Sequence, residues 1–446
     1  RRHLQRVGTE APGQRFPRAL RTKEEGRLAM RPLDSIKVVD FTRYLSGPTL
    51  SMLLADLGAD VVKVETLPAG DPARESGPFD ESESVYFMAS NRNKRSLAVD
   101  LRRPEGKEIC HRLIDQADVV AQNFRPGVAE AMGFGYEALS SRNPGLVYCN
   151  ISGFGMVPPG STVPGFDQTA QAMSGLMSIT GTSETGPLRV GIAVADSSTG
   201  LAAAVGVLSA LFERTRTGRG TVVNSSLMET MLTLLNYQAQ KYLSLGVVPG
   251  QDGNDHPIMF PQGSFRTADG AIALASGNER MWRRLCDALG LESLAEDPSY
   301  RDNAVRMANR KELRRLLESA LQTRTTQDWM EIIAGFGVPC SPVLDVRQAL
   351  EHPVTDALHM VEEIRHSSLG QMKLLGSMVK LPSNSDWLRL PPPLLGEHSR
   401  TICHEAGYSQ AEIDTLFATG IVAGPRKETE NLGAEPHGRE NKADVM

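Results

Sequence analysis

The sequence predicts an α/β fold, with a large doubly wound domain built on a parallel sheet and a smaller α/β domain. Over the first 150 residues, short β-rich runs alternate with helical segments, and the connecting loops are short. Strand, helix and strand joined in this way form the unit of a parallel sheet. A Gly/Pro/Asp-rich break at 249–256 precedes a second, smaller set of such segments, which predicts the second domain.

The first unit begins after Pro32. Ile36–Phe41 is rich in β-branched residues and predicts a strand. The amphipathic segment Leu50–Leu57 predicts a helix, and Val61–Glu65 predicts the next strand. The pattern then repeats as a strand, a helix and two strands: Ser96–Asp100, Glu105–Gln116, Asp118–Gln122 and Leu146–Ile151. Sites in such sheets form where the carboxyl ends of strands meet the amino termini of helices.

Residues 152–191 interrupt this regular pattern. They are dense in Gly, Pro, Ser and Thr, and a loop of this length in a compact chain is usually functional. Beyond the loop the sequence predicts a helix over Gly200–Arg214, a strand over Thr221–Asn224, a helix from Ser226 to Leu245, a strand over Ala271–Ser276, and helices over 279–289, 311–322 and 326–334.

These segments predict one discontinuous large domain and one inserted small domain. The large domain takes residues 32–225 and again 336–423, and the small domain with its linker helix takes 226–335. Residues 424–446 are charged and short of large apolar side chains, which predicts a disordered tail. Residues 1–31 form a basic leader, also predicted to be disordered. Arg-rich, acid-poor leaders of this kind suit mitochondrial import, although an ordinary basic tail has the same composition.

The composition excludes several classes of protein. The chain has 446 residues, and 48 Lys and Arg against 53 Asp and Glu give a net charge of −5. Binding to nucleic acid needs clustered positive charge, so no nucleic-acid partner is expected. The most apolar stretch, Leu201–Phe212, is shorter than the ~20 residues that span a bilayer. It therefore predicts a buried helix, and no membrane association is expected.

Neither a disulfide framework nor a metal site is expected. The five cysteines are scattered and form no C-x-x-C pair, which favours a reducing compartment. His352, His359 and His366 recur every seven residues, and this spacing predicts one partly exposed helix face rather than a metal site. The chain also has no P-loop motif and no G-x-S-x-G motif, so the simplest ATPase and hydrolase mechanisms are not expected.

Asp196 is the strongest candidate for a reactive side chain. It lies in VADSSTGLAAA, directly before an Ala-rich helix. Asp is among the best N-cap residues, so a purely structural cap explains the pattern. The same position also favours an ionised carboxylate, which becomes a nucleophile for acyl transfer when it is partly withdrawn from water. The residue alone does not distinguish these two roles.

Several motifs in sequence order resemble those of the family III CoA-transferases, the superfamily of formyl-CoA transferase and α-methylacyl-CoA racemase. The resemblance covers Pro32 to about Tyr408 and is carried by VVDFTRYLSGP, LLADLGADVVKVE, NRNKRSLAVDLRRPEG, ADVVAQNFRPGVAEAMGFGYEAL, SGFG, VADSSTG, TGRG and PLLGEHS. It implies a Rossmann-like large domain, an interlocked homodimer and Asp196 as the nucleophile. It also implies acyl-CoA and free carboxylic acid substrates without a permanently bound cofactor. Within the family, succinyl-CoA as donor and a dicarboxylic acid, glutarate first, as acceptor are expected.

The resemblance also assigns coenzyme A contacts to three short segments. These are the loop after the first strand, the end of the third strand and the NFRPG segment, with Arg43, Leu45 and Ser46, then Val99, Asp100, Leu101 and Arg102, then Asn123, Phe124 and Arg125. Arginine suits the phosphates of coenzyme A. Some members have Arg where this chain has Thr66, which weakens a phosphate contact at that position.

Phe166 and Asp167 bear on which reaction the family member performs. The racemase branch has a His where this chain has Phe166, and Phe has no proton to transfer, so racemisation is disfavoured. Asp167 aligns with an assisting carboxylate in transferases, but a turn or cap role is equally compatible. An acyl-CoA racemase and a non-catalytic CoA-binding protein stay as alternatives. For the distal carboxylate of an acceptor, Arg43, Arg92 and Arg189 are candidates.

Overall fold

The computed structural model describes residues 31–425 and is built around a seven-stranded sheet. Its strands are β1 Lys37–Asp40, β2 Asp60–Thr66, β3 Lys94–Val99, β4 Val119–Gln122, β5 Val147–Ser152, β6 Val222–Ser226 and β7 Val422–Ala423. Their spatial order is β6-β5-β4-β1-β2-β3-β7. All neighbours are parallel except β7, which pairs antiparallel with β3. The predicted α/β class with a parallel sheet is confirmed.

Helices cover both faces of this sheet. Val38, Val61 and Val119 face a core that includes the helix α1, Ser46–Asp56. Val39, Val62 and Val120 point to the other core, against the helix Pro104–Ile114. Alternate residues of each strand thus face different apolar layers, as expected of a parallel sheet buried on both sides.

Most of the other helices and strands around the large sheet are short, and the helix Val194–Thr217 is the exception. The α-helices are Val85–Met88, Val128–Met132, Tyr136–Arg142, α2 Asp167–Met173, Leu176–Ile179, α3 Val194–Thr217, Val346–Leu350, Pro353–Ala357, Ser399–Glu405 and Gln410–Ala418. The 3-10 helices are Pro72–Glu75, Gly160–Thr162 and Pro382–Asn384. Three small hairpins pair Phe79–Asp80 with Glu83–Ser84, Gly181–Thr182 with Gly186–Pro187, and Val361–His366 with Gly370–Leu375.

The helix α3 is longer than predicted. It has 24 residues and is, by length and composition alone, apolar enough to cross a membrane. One face, including Ala203, Val207 and Ala210, is buried against the sheet and α1. The helix therefore packs one face into the core of the large domain.

A second core lies around a three-stranded antiparallel sheet. Its strands are Gln262–Arg266, Ala271–Ala275 and Cys340–Pro342, and its helices are Glu279–Leu289, Glu292–Glu296, Asn303–Ala308, Arg310–Leu321 and Thr326–Gly335, with a 3-10 turn at Pro298–Tyr300. Trp282, Leu317 and Trp329 are buried within it. Cys340–Pro342 belongs to this sheet, so the sheet continues beyond residue 335, where the sequence analysis places the end of the small domain.

Two sequence predictions of helices are wrong. The helix predicted from Ser226 to Leu245 is two helices, Leu227–Leu234 and Tyr237–Leu245, because Asn236 between them takes a left-handed backbone with φ 50°. His352, His359 and His366 do not share a helix face. The first caps a helix, the second has φ 49°, and the third is buried in a strand. The predicted leader and tail lie almost wholly outside the described residues.

Candidate active site

The sheet reverses its direction of growth between β1 and β4. From β1 the chain adds β2 and β3 on one side, and β4, β5 and β6 on the other. The loops after β1 and β4 therefore separate at their carboxyl ends and leave a crevice, the usual ligand site of such folds. A cavity of about 200 Å³ lies here. Its lining includes six of the predicted site residues: Arg43, Ser46, Asn123, Phe124, Arg125 and Asp196.

Asp196 lies in the first turn of α3 and faces this cavity. The N-cap is Ala193, so Asp196 is the third helical residue and makes no cap of its own. Burial raises the pKa of Asp196 to about 6, the negative charge of Asp167 adds to this effect, and a hydrogen bond from Ser46 offsets part of it. Its carboxylate is ionised at neutral pH but poorly solvated, which makes it a competent nucleophile.

Asp167 is the residue that caps α3. One of its oxygens, Oδ1, accepts hydrogen bonds from the backbone N–H groups of Ala195 at 2.8 Å and Asp196 at 3.2 Å. Its Oδ2 accepts from Gln171 Nε2 at 2.6 Å, and Gln171 Oε1 accepts from Val190 N at 2.9 Å. Asp167 thus provides the cap of α3, which was one of the two roles left open for Asp196, and it places a negative charge beside Asp196.

The two loops at the crevice hold each other. Asn123 accepts from Arg43 N at 2.9 Å and donates to Arg43 O at 2.8 Å, so one side chain fixes the neighbouring loop by both backbone groups. The guanidinium of Arg43 lies 5.0 Å from the centre of the Phe124 ring. Ser46 is buried at the start of α1, where its carbonyl lies against Gly200 of α3. A Cβ at Gly200 would lie 2.5 Å from the Ser46 oxygen, so only glycine allows this approach.

The predicted coenzyme A segment at the end of β3 lies outside the main cavity. Val99 and Leu101 are buried, with Leu101 lining a small adjoining pocket that also touches Arg43 and Phe124. Arg102 is exposed and is held by Asp100 through two hydrogen bonds of 2.8 Å. The half-buried Leu45 shares the loop of Arg43 but does not line the cavity. The assignment of all these residues to coenzyme A stays a prediction.

The sequence patterns did not single out two aromatic residues of the site, Tyr44 and Tyr86. Tyr44 and Phe166 both line the cavity and meet edge to face with their ring centres 6.0 Å apart. Burial, followed by the charges of Asp196 and Asp71, raises the pKa of Tyr86 to about 12, so its hydroxyl stays a hydrogen-bond donor near Asp196. Aromatic residues between polar motifs give no distinctive signal in one sequence.

The Gly-rich loop after β5 forms one wall of the cavity. Gly153 and Gly165 lie so close together that a Cβ on either would lie 2.5 Å from the Cα of the other. This contact folds residues 153–166 back over the crevice. Of the two Gly-rich stretches within residues 152–191, 153–166 and 181–191, only the first lines the cavity. The 181–191 loop instead contacts α2 through Val190.

The structure separates the three arginine candidates for a distal carboxylate. Arg43 lines the cavity. Arg92 is buried and paired with Asp56 at 2.6 Å, so it is not available, and that expectation is wrong. Arg189 donates to the carbonyl groups of Val190 and Gly191 in its own loop, and it does not line the cavity. Arg125, which was not among these candidates, lies in the cavity with Arg43.

The sheet thus presents a half-buried aspartate to a cavity at its switch point, and sequence comparison identifies the family. Residues 33–399 match the model of CoA-transferase family III, and the chain belongs to this family.

Individual relatives cover most of the chain. A succinyl-CoA:glutarate CoA-transferase of Mus musculus is 36% identical over 88% of this chain and 91% of its own length. A succinyl-CoA:mesaconate CoA-transferase of Haloarcula hispanica is 38% identical over 85% of this chain and 97% of its own. The crystal structure of a CAIB/BAIF family protein from Brucella suis superposes with a TM-score of 0.76 at 37% identity, covering 84% of this chain and 99% of that one.

Proposed function

We propose that this CoA-transferase moves coenzyme A from succinyl-CoA to a dicarboxylic acid, glutarate first, with Asp196 as the nucleophile. The observation that carries the proposal is the Asp196 carboxylate, which faces a cavity between the two loops of the switch point and has a pKa raised to about 6. The succinyl-CoA:glutarate relative, similar over most of its length, supports this choice of donor and acceptor.

In the proposed reaction the donor acid, succinate, leaves the enzyme before the acceptor acid, glutarate, reacts. The Asp196 carboxylate attacks the thioester carbonyl, and coenzyme A leaves as a thiolate while a mixed anhydride forms. The thiolate then attacks the aspartyl carbonyl, which releases succinate and leaves an enzyme thioester. Glutarate attacks that thioester, and the thiolate returns to the glutaryl carbonyl of the new anhydride, which gives glutaryl-CoA and restores Asp196. One thioester and one free carboxylate enter the reaction and one of each leaves it, so atoms and charges balance.

The surroundings of Asp196 fit the needs of this exchange. Poor solvation keeps the carboxylate reactive, and Ser46 and the protonated Tyr86 are the nearby hydroxyl donors. The folded-back 153–166 loop and the Tyr44–Phe166 contact enclose the cavity, which limits hydrolysis of the anhydride and the thioester by water. Backbone N–H groups of the Gly-rich loop are the proposed donors for the oxyanion.

The acceptor is the least constrained part of the proposal, because the relatives differ in the acid they use. Arg43 and Arg125 line the cavity, and one of them is proposed to bind the distal carboxylate. A panel assay tests this directly. Purified protein is incubated with succinyl-CoA and acids from malonate to adipate, and the CoA products are resolved by mass. The proposal is supported if glutaryl-CoA forms fastest. If another acid reacts faster, that acid rather than glutarate is the preferred acceptor.

The intermediate has a separate test. Protein incubated with succinyl-CoA in the absence of acceptor should carry coenzyme A, less one water, on the peptide that contains Asp196. Two exchange assays distinguish the alternative functions. A CoA-binding protein without activity binds coenzyme A but does not exchange labelled succinate into succinyl-CoA, and a racemase exchanges an α-proton of its substrate with solvent deuterium. Absence of the adduct on Asp196 would count against the mechanism.

A homodimer is proposed as the active form. Apolar side chains on the outer face of α3 and on the next two helices are exposed, including Val205 at 66%, Phe212 at 65% and Leu243 at 75%. A surface of this kind is usually an interface. Light scattering after gel filtration should give twice the chain mass, and Val205→Glu should shift it to the single-chain mass. A monomeric parent protein would contradict this assembly.

A mitochondrial location is proposed from the basic leader, which lies outside the described residues apart from Arg31. Residues 1–31 fused to a fluorescent reporter should enter mitochondria. A control in which the leader arginines are replaced by glutamine should stay in the cytosol. Diffuse signal from both fusions would remove the proposed location without affecting the proposed reaction.

A further inference from the structure

Four charged side chains are buried together behind the loop that follows β1. They are Asp40, Lys63, Asp71 and Lys94, here called the buried quartet, and each is at most 1% exposed. Lys63 Nζ lies 2.8 Å from Asp71 Oδ2, and Lys94 Nζ lies 3.4 Å from Asp40 Oδ2. Removing charges from water costs several kcal/mol per ion even after relaxation. Such a group therefore calls for an explanation other than stability.

Every member of the quartet bonds to the loop or to its helix α1. Lys63 donates to the Thr42 carbonyl at 2.8 Å, and Lys94 donates to the Pro48 carbonyl at 3.0 Å. Asp40 accepts from the Thr42 N–H at 2.9 Å and from the Ser51 hydroxyl at 2.5 Å.

Asp71 holds the strained residue of the loop. Its Oδ1 accepts from Tyr44 N at 3.0 Å and from Ala73 N at 2.9 Å. Tyr44 has φ 65°, a left-handed backbone that is unfavourable for a residue other than glycine. The hydrogen bond from Tyr44 to Asp71 holds this strained residue, while Asn123 holds Arg43 next to it, and the turn sets the directions of Arg43 and Ser46 on either side of it.

We propose that the Lys63–Asp71 pair is a positioning device that holds the Thr42–Ser46 loop so that Ser46 reaches Asp196 and Arg43 reaches the cavity. Asp71 does not line the main cavity that Asp196 faces, and it acts through the backbone of Tyr44. Lys63 keeps the Asp71 carboxylate ionised and in place, and fixes the loop at Thr42. The inference rests on the proposed role of Asp196.

The test compares two double variants in which both charges of the Lys63–Asp71 pair are removed. Lys63→Met with Asp71→Ala removes the ion pair and the acceptor for Tyr44 N. Lys63→Met with Asp71→Asn also removes both charges but keeps an acceptor oxygen. Replacing both partners of a buried pair leaves no unpaired charge, so both proteins are expected to fold. We expect the Ala variant to lose about 10- to 100-fold in kcat and the Asn variant to regain about tenfold of it.

Asp56→Asn is the matched control. Asp56 is as buried as Asp71 and is paired with the buried Arg92, but its described partners do not include the Thr42–Ser46 loop. It should lower the unfolding temperature and keep kcat within about threefold of the parent. Equal kcat in the Ala and Asn double variants, or a loss in Asp56→Asn as large as in the Ala variant, overturns the positioning role. Should the Ala variant not fold, Lys63→Met with Asp71→Leu takes its place, because leucine fills the site of the carboxylate but offers no acceptor to Tyr44 N, and a kcat equal to that of the Asn double variant then overturns the positioning role.

Failure of the proposed function gives a different result. If Asp196→Asn still turns over, the proposed mechanism fails, whereas a difference between the Ala and Asn double variants still identifies Asp71 as a positioning residue. If Asp196→Asn is inactive and the two double variants are equal, only the positioning inference fails.

Discussion

Two carboxylates near the cavity have opposite electrostatic surroundings. Asp196 is buried beside another carboxylate, Asp167, and its pKa is raised to about 6. Burial alone would also raise the pKa of Asp71, but the Lys63 ammonium and hydrogen bonds from Lys63, Ala73 and Tyr44 lower it below the ordinary value. The same residue type is thus reactive where no cation neutralises it and structural where one does.

The largest expected effect is on the reactive member of this comparison. Asp196→Asn removes the nucleophile and keeps the shape, so transfer between succinyl-CoA and glutarate should fall by about 1000-fold or more. Binding of coenzyme A, measured by calorimetry, should change little because Asp196 is not one of the predicted coenzyme A contacts. Turnover within tenfold of the parent would show that Asp196 is not the nucleophile.

The two carboxylates should also affect stability with opposite signs. A raised pKa means that Asp196 contributes stability below its unfolded pKa, and that this contribution is lost as pH rises through about 6. Asp196→Asn should therefore gain up to about 3 kcal/mol on the parent between pH 4 and pH 7. The lowered pKa of Asp71 has the reverse sign, but most of its effect lies below pH 4, where the unfolded carboxyl titrates. Between pH 4 and pH 7 Asp71→Asn should therefore lose less than about 0.5 kcal/mol relative to the parent.

Urea unfolding at the two pH values measures both differences. The prediction concerns the change in each difference with pH, because the absolute value also includes packing effects of the substitution. If the Asp196→Asn and Asp71→Asn differences moved in the same direction as pH rose, the electrostatic contrast between the sites would be wrong.

The pH dependence of catalysis follows from the same pKa. The nucleophile must be ionised, so kcat/KM should rise about tenfold per unit at low pH and level off above an apparent pKa near 6. An aspartate with its ordinary pKa would give a profile that is flat down to about pH 4. Initial rates with saturating glutarate across pH 4.5–8 distinguish the two profiles.

The smallest expected effect comes from Ser46. Its hydroxyl bonds to the Asp196 carboxylate and lowers its pKa, so Ser46→Ala should move the midpoint of the kcat/KM profile upward by up to about 1 pH unit. Ser51→Ala is a suitable control, because Ser51 is a buried serine of the same helix whose hydroxyl bonds to Asp40 and to backbone carbonyls of its own helix. A midpoint that shifts equally in both variants would assign the effect to the helix rather than to the hydroxyl.

The sequence predicted the sheet because its strands leave local patterns, and the family motifs pointed to Asp196. β-Branched runs separated by helical segments gave six of the seven sheet strands to within one or two residues. The buried quartet left no such pattern. Lys63 stands between two valines in VVKVE, and alternation of this kind normally indicates an exposed side chain. In this sheet both faces are covered, so the lysine is buried and needs a partner from a different loop.

Pairings between distant residues explain the other errors. Arg92 looked available because Asp56, its partner, lies 36 residues away. A cap role stayed open for Asp196 because the helix start is uncertain by about two residues from sequence, and the residue that caps the helix, Asp167, comes 29 positions earlier. Neither partner can be inferred from one sequence without the fold.

The glycine at position 200 has a consequence for how this enzyme can change its substrate. Since no side chain fits between α3 and the Ser46 carbonyl, a larger residue at position 200 would push apart the two helices that carry Asp196 and Ser46. The opposite wall, residues 153–166, is a loop with exposed side chains such as Val157 and Phe166. New acceptor acids can therefore be accommodated by substitutions in the loop while the chemical step is left untouched. Differences in acceptor between relatives should accordingly map to that wall rather than to α3.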